Sequence, residues 1–599
     1  MDNSIKRVSC GALTAADVGA NVELDGWVHR RRDHGGLIFI DMRDRSGLTQ
    51  VTFDPSMGET FARAETLRSE DVVRVGGVVR RRPAGTENAK LATGDVEVPA
   101  TALEILNRSE TPPFVIAAEE EPAEDIRLRY RYLDLRRPRM QRNLKLRHRI
   151  VKAIRDYFDE HDFIEIETPN LIKSTPEGAR DYLVPSRVHQ GSFYALPQSP
   201  QILKQILMIG GLGRYMQIAR CFRDEGQRAD RQPEFTQVDV EMSFVQQDDV
   251  VAMMEGCMRS VWRRALGETI PDPLPRLTYG DAMRRFGSDK PDLRFELELA
   301  DVTDAFVGSA FSLFATLAES IANRIIAVRY PGGAALSRRD FDNLTELVKS
   351  YGGKGMAYVT FGDGVKGSIA KFLDEKLVER LRQGLGATGN ISGDGQGDAL
   401  LLIGDTSRAA YEVAGKLRLE IGDRLKLRDP KKFAFCWVLG FPLFERDEET
   451  GEITFSHHPF TAPLPGQEAL FDSDPLAITA QHYDLVLNGY ELGSGSIRNH
   501  VPEFQRRVFK RLGLSDEQID DRFGFFMEAL SYGAPPHGGM ALGIDRIVMI
   551  ACGESNIREV IAFPKNQMAR DVMMDAPSSV PAQALKELGL AIVEPPSTT

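Results

Sequence analysis

Cysteine is sparse in this sequence and scattered where it occurs. Five cysteines in 599 residues, Cys10, Cys221, Cys257, Cys436 and Cys552, form no CxxC pair. That excludes a zinc knuckle and a disulfide framework and leaves buried thiols as the ordinary reading. No apolar run reaches the roughly 18 residues of a membrane span. The first ten residues, MDNSIKRVSC, carry no apolar signal region, so the expectation is a cytoplasmic protein with no membrane partner. GxxxxGK[ST] does not occur, which removes the commonest glycine-rich triphosphate loop. The glycines of GNISGDGQGDALLLIGD (389–405) do not form a GxGxxG and read as turns. Positive charge is short as well: 75 Lys and Arg stand against 87 Asp and Glu, a net charge of −12. Such a chain does not coat nucleic acid indiscriminately.

What is present fits several soluble globular domains. At 599 residues the expectation is three to five domains, and 42% hydrophobic with 27% charged residues is an ordinary globular balance. The basic residues are clustered. RLRYRYLDLRRPRMQRNLKLRHR (127–149) holds ten Lys or Arg and one acid, Asp134; HRRRD (29–33) and VVRRR (78–82) are smaller clusters. Local basic bands on an acidic protein suit selective contact with a phosphate backbone. The alternative is that these arginines pair with acids nearby.

Along the chain, residues 1–110 read as β: VELDGWVHRRR, LIFIDMRD, LTQVTFD, DVVRVGGVVRRR and DVEVPATALEILN are short runs broken by Gly, Asp and Asn. About five strands in that length suggest a small barrel of the OB-fold type. TPPFVIAAEEEPAEDI (111–126) reads as a linker. From Asn143 the pattern is helical, with Leu146, Ile150, Ile154 and Phe158 on one face, and it ends at HDFIEIETPNL, a strand entering Pro169. Residues 290–425 alternate helix and strand without a charged constellation. Chemistry resumes after Asp429, at FSHHPFTAP (455–463), NGYELGSGSIRNH (488–500) and PPHGGMALGIDRIVM (535–549).

CFRDEGQRADRQPEFTQVDVEM (221–242) is the stretch that asks for a ligand. Arg223 and Glu225 close an apolar run, a charged loop follows, and then Phe235, Gln237, Asp239 and Glu241 alternate with Thr236, Val238, Val240 and Met242. Period-two alternation means a strand, and one face of it carries two acids and an amide. GGMALGIDR adds a glycine run, a helix start and a fixed cation, Arg546.

HDFIEIETPNL, FRDEGQRADRQPEF and GGMALGIDR, in this order, resemble motifs one, two and three of the class II aminoacyl-tRNA synthetases. QSPQILKQILM, RADRQPEFTQVDVEMSF, SHHPFTAP and YELGSGSIR extend the likeness to the bacterial aspartyl-tRNA synthetases over essentially the whole chain. The class I signatures HIGH and KMSKS are missing. The resemblance implies an α+β multidomain protein. Its expected parts are an OB-fold anticodon-binding domain (1–110), a hinge (111–140), a catalytic domain on an antiparallel sheet (141–288 and 428–565, interrupted by a GAD-type insertion at 289–427) and a C-terminal extension (566–599). It also implies a homodimer formed partly through Pro169 and the motif-one helix.

The implied reaction joins L-aspartate to ATP, releases pyrophosphate, and moves the aspartyl group to the terminal adenosine of a tRNA. By resemblance Arg223 neutralises the reacting phosphate, Glu225 meets the adenine edge, Gln232 helps hold ATP and Arg546 holds its γ-phosphate. Asp224, Glu491, Gly543, Ile544 and Asp545 complete the ATP-binding set. Asp484 and Glu491 match Mg²⁺ ligands. Lys204 and Arg498 match the cations that read the aspartate side chain, Asp239 and Gln201 receive the α-ammonium group, Glu177 sits on a lid, and His457 and His458 lie near the carboxylate. In the barrel, Arg32, Phe39, Gln50 and Glu97 match anticodon readers, with plain core as the alternative for Phe39.

His34 and Gly85 depart from the pattern of relatives that charge tRNA-Asp alone. They resemble the subgroup that charges both tRNA-Asp and tRNA-Asn. A tRNA-Asp-only enzyme is the nearest rival. A non-catalytic RNA-binding relative would have lost Arg223, Glu225, Glu491 or Arg546, and all four are present.

Overall fold

The computed structural model describes residues 6–175, 178–386, 397–447 and 450–593. The chain divides into two compact units, residues 1–145 with 558–579 and residues 146–557 with 580–599.

The first unit contains a β-barrel. Its strands are β1 (Lys6–Val8), β2 (Asn21–His34), β3 (Leu37–Arg43), β4 (Leu48–Phe53), β5 (Val72–Val78), β6 (Arg80–Arg81) and β7 (Val96–Asn107). The order β1-β2-β3-β4-β7-β5 closes because β2 pairs with both β3 and β5. Its first half lies against β5 and its second half against β3, with a register shift between Val28 and Arg30. Alternation decides what faces inward: Ile38, Ile40 and Met42 are core, while Phe39 and Asp41 between them are not. All five expected strands are present. DVVRVGGVVRRR splits in two, because Val79 leaves the β5 ladder to exchange backbone hydrogen bonds with Gly19 and Ala20.

The basic band after the barrel is largely spent inside this unit. Arg127 pairs with Glu559 and Asp134, Arg131 with Asp134, and Arg136 with Glu70. Arg131 also donates to the carbonyls of Arg558, Ile561 and Ala562. Burying a guanidinium requires such partners, so at these positions the alternative reading of the charge cluster holds. Stretch 111–126 is anchored by buried Phe114 and Ile116, and a helix begins at Glu124. The helix expected from Asn143 starts earlier, spanning Pro138–Asp159, since proline suits a first helical turn.

The second unit is built on an eight-stranded sheet. In chain order its strands and those around it are β8 (Ile164–Glu165), β9 (Leu183–Pro185), β10 (Phe193–Ala195), β11 (Arg214–Phe222), β12 (Glu234–Ser243) and β13 (Arg276–Thr278). Then come β14 (Ala300–Asp301), β15 (Asn323–Tyr330), β16 (Ala357–Gly362), β17 (Gly364–Gly367) and β18 (Ala399–Thr406). The last are β19 (Phe435–Leu439), β20 (Phe444–Arg446), β21 (Ile453–Phe455), β22 (His482–Leu487), β23 (Tyr490–Ile497) and β24 (His537–Gly543). The large sheet runs β13-β19-β22-β23-β24-β12-β11-β8 and is antiparallel except at its two outer pairings. Strands β14 to β18 form a separate five-stranded sheet with an apolar cluster on each face. This explains ALLLI (399–403): a strand covered on both sides is apolar at every position. The turn reading of 389–405 is therefore corrected at its second half, where β18 lies; residues 389–396 are outside the described residues.

Candidate active site

Strands β12, β23 and β24, with the loop after β11, line a cavity of about 430 Å³. Both faces of β12 are buried. Val238, Val240 and Met242 point into apolar core, and Phe235, Gln237 and Asp239 line the cavity. Glycines let the neighbouring strands come this close. A Cβ on Gly539 would lie 2.1 Å from both a Glu241 carboxylate oxygen and the Val240 carbonyl, and one on Gly493 would lie 1.9 Å from the Ala541 carbonyl. The glycines of GGMALG thus serve strand packing; Gly543 meets only ordinary contacts.

One end of the cavity is a buried charge network. Lys204, on helix Gln201–Ile209, sits 2.5 Å from Asp239 and 3.2 Å from Glu241. Arg498 grips Glu241 with two bonds of 2.9 and 3.1 Å and reaches Ser496 Oγ at 2.6 Å and His458 Nε2 at 3.1 Å. Two cations face two carboxylates, all at most 2% exposed. Burial pushes Asp239 above the usual carboxylate range despite Lys204. Burial acts on Glu241 too, but Arg498 and Lys204 overcome it and hold that carboxyl low. His458 is kept neutral by burial and by Arg498. Asp239 Oδ2 and Gln201 Nε2 are buried with no hydrogen-bond partner among the described residues, so each is available to a bound group. Glu241, named in the alternation but given no role, is the brace between the two cations.

The other end carries the motif-two loop and the start of helix Ile544–Cys552. Arg223 lies over the Phe235 ring at 5.1 Å. Glu225 pairs with Arg231 at 2.9 Å, and Arg546 pairs with Asp230 at 3.0 Å while also donating to the Glu491 carbonyl. Asp230 and Arg231 line the cavity beside Gln232 and were not singled out from the sequence as site residues, while Phe235 and Gln237, named on the alternating face that asks for a ligand, line it too. Asp545 accepts from the Thr236 backbone N–H at 2.8 Å and from Arg147 at 2.6 Å, which fixes the helix start. Ile544 is core, and Asp224 stands outside the lining, its backbone N–H bonded to the Arg180 carbonyl at 3.0 Å.

Asp484 and Glu491 lie on the adjacent strands β22 and β23. Glu491 lines the cavity and accepts from Ser494 Oγ at 3.1 Å. Asp484 accepts from His482 Nε2 at 2.8 Å, outside the lining. Burial pushes Asp484 up to about 6, and burial plus the Asp484 charge raises Glu491. Two buried like charges are a place where a cation is welcome. Among the described residues no group of three or more His, Cys, Asp or Glu could hold a metal alone; a pair sharing an ion with phosphates fits the donor habits of Mg²⁺. The two consecutive histidines part company. His458 lines the cavity, while His457 stacks on His482 at 3.6 Å with rings 4° from parallel. Glu177 lies outside the described residues.

On the barrel, a second polar arrangement covers the outer side of β2, β3, β4 and β7. Arg32 donates to Asp41 at 3.0 Å and to the Gln50 carbonyl oxygen at 3.2 Å. Gln50 donates to Glu97 at 2.7 Å, and Arg80 closes the row on Glu97 at 2.8 Å. Phe39, opposite Arg32 in the register, is half-buried and outside the apolar core. His34 is exposed at the end of β2. Gly85 has φ +84° in the turn that the Thr86 N–H closes on the Pro83 carbonyl.

Residues 123–567 match the family of class II tRNA synthetases (D, K and N), and residues 22–106 match the OB-fold nucleic acid binding domain. An aspartate–tRNA(Asp/Asn) ligase of Rubrobacter xylanophilus is 52% identical over 596 residues, covering 99% of this chain and 98% of that one. Its counterpart of the same name from Moorella thermoacetica is 52% identical over 97% of this chain and 96% of its own. Among solved structures, an asparaginyl-tRNA synthetase from Pyrococcus horikoshii complexed with asparaginyl-adenylate superposes with a TM-score of 0.58 at 18% identity, covering 93% of this chain and 98% of that one.

Proposed function

Because the chain belongs to the class II tRNA synthetases of the D, K and N group, with an OB-fold domain matched at residues 22–106, we propose the following account of its site. The chain is an aminoacyl-tRNA ligase for aspartate. It activates the amino acid with ATP and transfers it to tRNA. One observation carries the reading: a single cavity is lined by Lys204 and Arg498 and by Arg223 and Arg546. One pair suits a side-chain carboxylate and the other suits phosphates.

Aspartate lies with its side chain against Lys204 and Arg498 and its ammonium group on Asp239 and Gln201. Both cations are donors only, so an asparagine amide nitrogen aimed at them finds no acceptor; a mismatch of this kind is worth roughly 10⁴ in selectivity. The α-carboxylate is already ionised and is itself the nucleophile. The chain's task is to place it in line with the α-phosphate and to neutralise the charge that develops there, which falls to Arg223. Glu225 and Gln232 take the adenine side and Arg546 the terminal phosphate. Asp545, through Arg147 and the Thr236 N–H, keeps Arg546 in place. Asp484 and Glu491 would hold Mg²⁺, which when bound neutralises phosphate charge. Glu491→Gln is then expected to raise the Mg²⁺ concentration for half-maximal pyrophosphate exchange about tenfold; an unchanged Mg²⁺ titration would count against that role.

The barrel row Arg32–Gln50–Glu97, with Phe39 beside it, reads the anticodon. Glu97 offers only acceptors and suits the N1–H and N2–H₂ edge of guanine. His34 and Gly85, with the Asp/Asn names of the full-length relatives, support charging of both tRNA-Asp and tRNA-Asn. The test is aspartylation of the two transcripts by the purified chain with ATP and Mg²⁺. Comparable charging of both is expected. Charging of tRNA-Asp alone would leave the ligase intact and return His34 and Gly85 to ordinary loop variation.

A further inference from the structure

The loop between β11 and β12 carries two ion pairs on consecutive residues. Asp230 binds Arg546 at 3.0 Å, and Arg231 binds Glu225 at 2.9 Å. All four residues line the cavity. The loop is pinned at its base, where the Arg223 N–H bonds the Pro233 carbonyl at 2.9 Å, and near its tip, where the Ile557 N–H bonds the Ala229 carbonyl at 3.0 Å. Arg546 is held from behind by the Glu491 carbonyl. Its two terminal nitrogens are thus taken by the Glu491 carbonyl and by the Asp230 carboxylate, and both partners line the cavity. A guanidinium recognises carboxylate and phosphate with the same planar donors. Asp230 thus stands where a phosphate oxygen would bind.

We propose that Asp230 sets how tightly a nucleoside triphosphate is held: its carboxylate competes with the terminal phosphate for Arg546 and so weakens triphosphate binding selectively. This rests on the reading of Arg546 as the terminal-phosphate group. A nucleoside triphosphate recovers in the new pair what it removes from the old one. A diphosphate, which does not reach Arg546, leaves Asp230 in place and gains nothing there. The pair is 30% and 23% exposed, which keeps the competition modest.

The experiment is calorimetric binding of ATP and of ADP to the full chain with Mg²⁺ and without aspartate, so that no chemistry follows. Asp230→Asn is expected to tighten ATP about 2- to 5-fold, the range of a part-exposed ion pair, and to leave ADP unchanged. Asp230→Glu, which keeps the carboxylate, is expected to bind ATP like the parent. Unchanged or weaker ATP binding by Asp230→Asn overturns the proposal, as does equal tightening of ADP. Arg546→Gln separates the two layers. If it weakens ATP and Asp230→Asn has no effect, the competition is wrong and the phosphate role stands. If Arg546→Gln leaves ATP binding untouched, the phosphate role is wrong and the competition falls with it. In the double variant, Asp230→Asn is expected to add nothing to Arg546→Gln.

Discussion

Replacing Arg223 with glutamine lowers aspartate-dependent ATP–pyrophosphate exchange by about 10²–10³-fold, while the melting temperature hardly moves. The asymmetry follows from where the residue stands. Arg223 has no ion pair among the described residues; its side chain lies over Phe235, and its Nε is buried without a hydrogen-bond partner. Its guanidinium therefore contributes little to the folded state and is available to a charge that appears only in the transition state. The deficit should fall on kcat, with the ATP dissociation constant changed far less. Exchange within tenfold of the parent would remove Arg223 from the chemistry.

Glu241→Gln has the opposite signature, an effect on both the fold and aspartate binding. The parent carboxylate is shared by Arg498 and Lys204 at 0% exposure. The amide keeps the shape, removes the charge and turns an N–H₂ toward two donors. Breaking one member of a buried charge group typically costs about 3–5 kcal/mol. A lower melting temperature is expected together with a KM for aspartate raised at least about tenfold, because Arg498 and Lys204 lose their alignment. A melting curve and an aspartate KM both like the parent's would show that the charge of Glu241 is dispensable. Asp239 alone would then have to balance both cations.

How much of this was legible in the sequence depended on range. The strand at Glu234–Ser243 was written in alternation, and so were all five long barrel strands, because a period of two is a local signal. Phe39 could be placed only by register, since its neighbours Ile38 and Ile40 are equally apolar. The arginines of 127–149 misled for the converse reason. Glu559 lies more than four hundred residues from Arg127 in sequence and 2.5 Å from it in space, and no local pattern announces such a partner. Glu241 was visible as an alternating acid, but its grip on Arg498 is a pairing across 257 positions. The neighbourhoods of His457 and His458 were likewise beyond a consecutive pair of letters. Strand β18 hid behind its glycines, since a strand covered on both faces has no alternation to show.

The hydrogen-bond row on the barrel has a direction, and the direction constrains how these positions can change together. Arg32 only donates and Glu97 only accepts, so the Gln50 amide between them can lie one way round and no other. Turning it over would set oxygen against oxygen and nitrogen against nitrogen. A lineage that altered one end of the row, putting an acid at 32 or a base at 97, would strand the middle until the far end changed too. Physically, then, Arg32, Gln50 and Glu97 behave as one letter of an alphabet rather than as three.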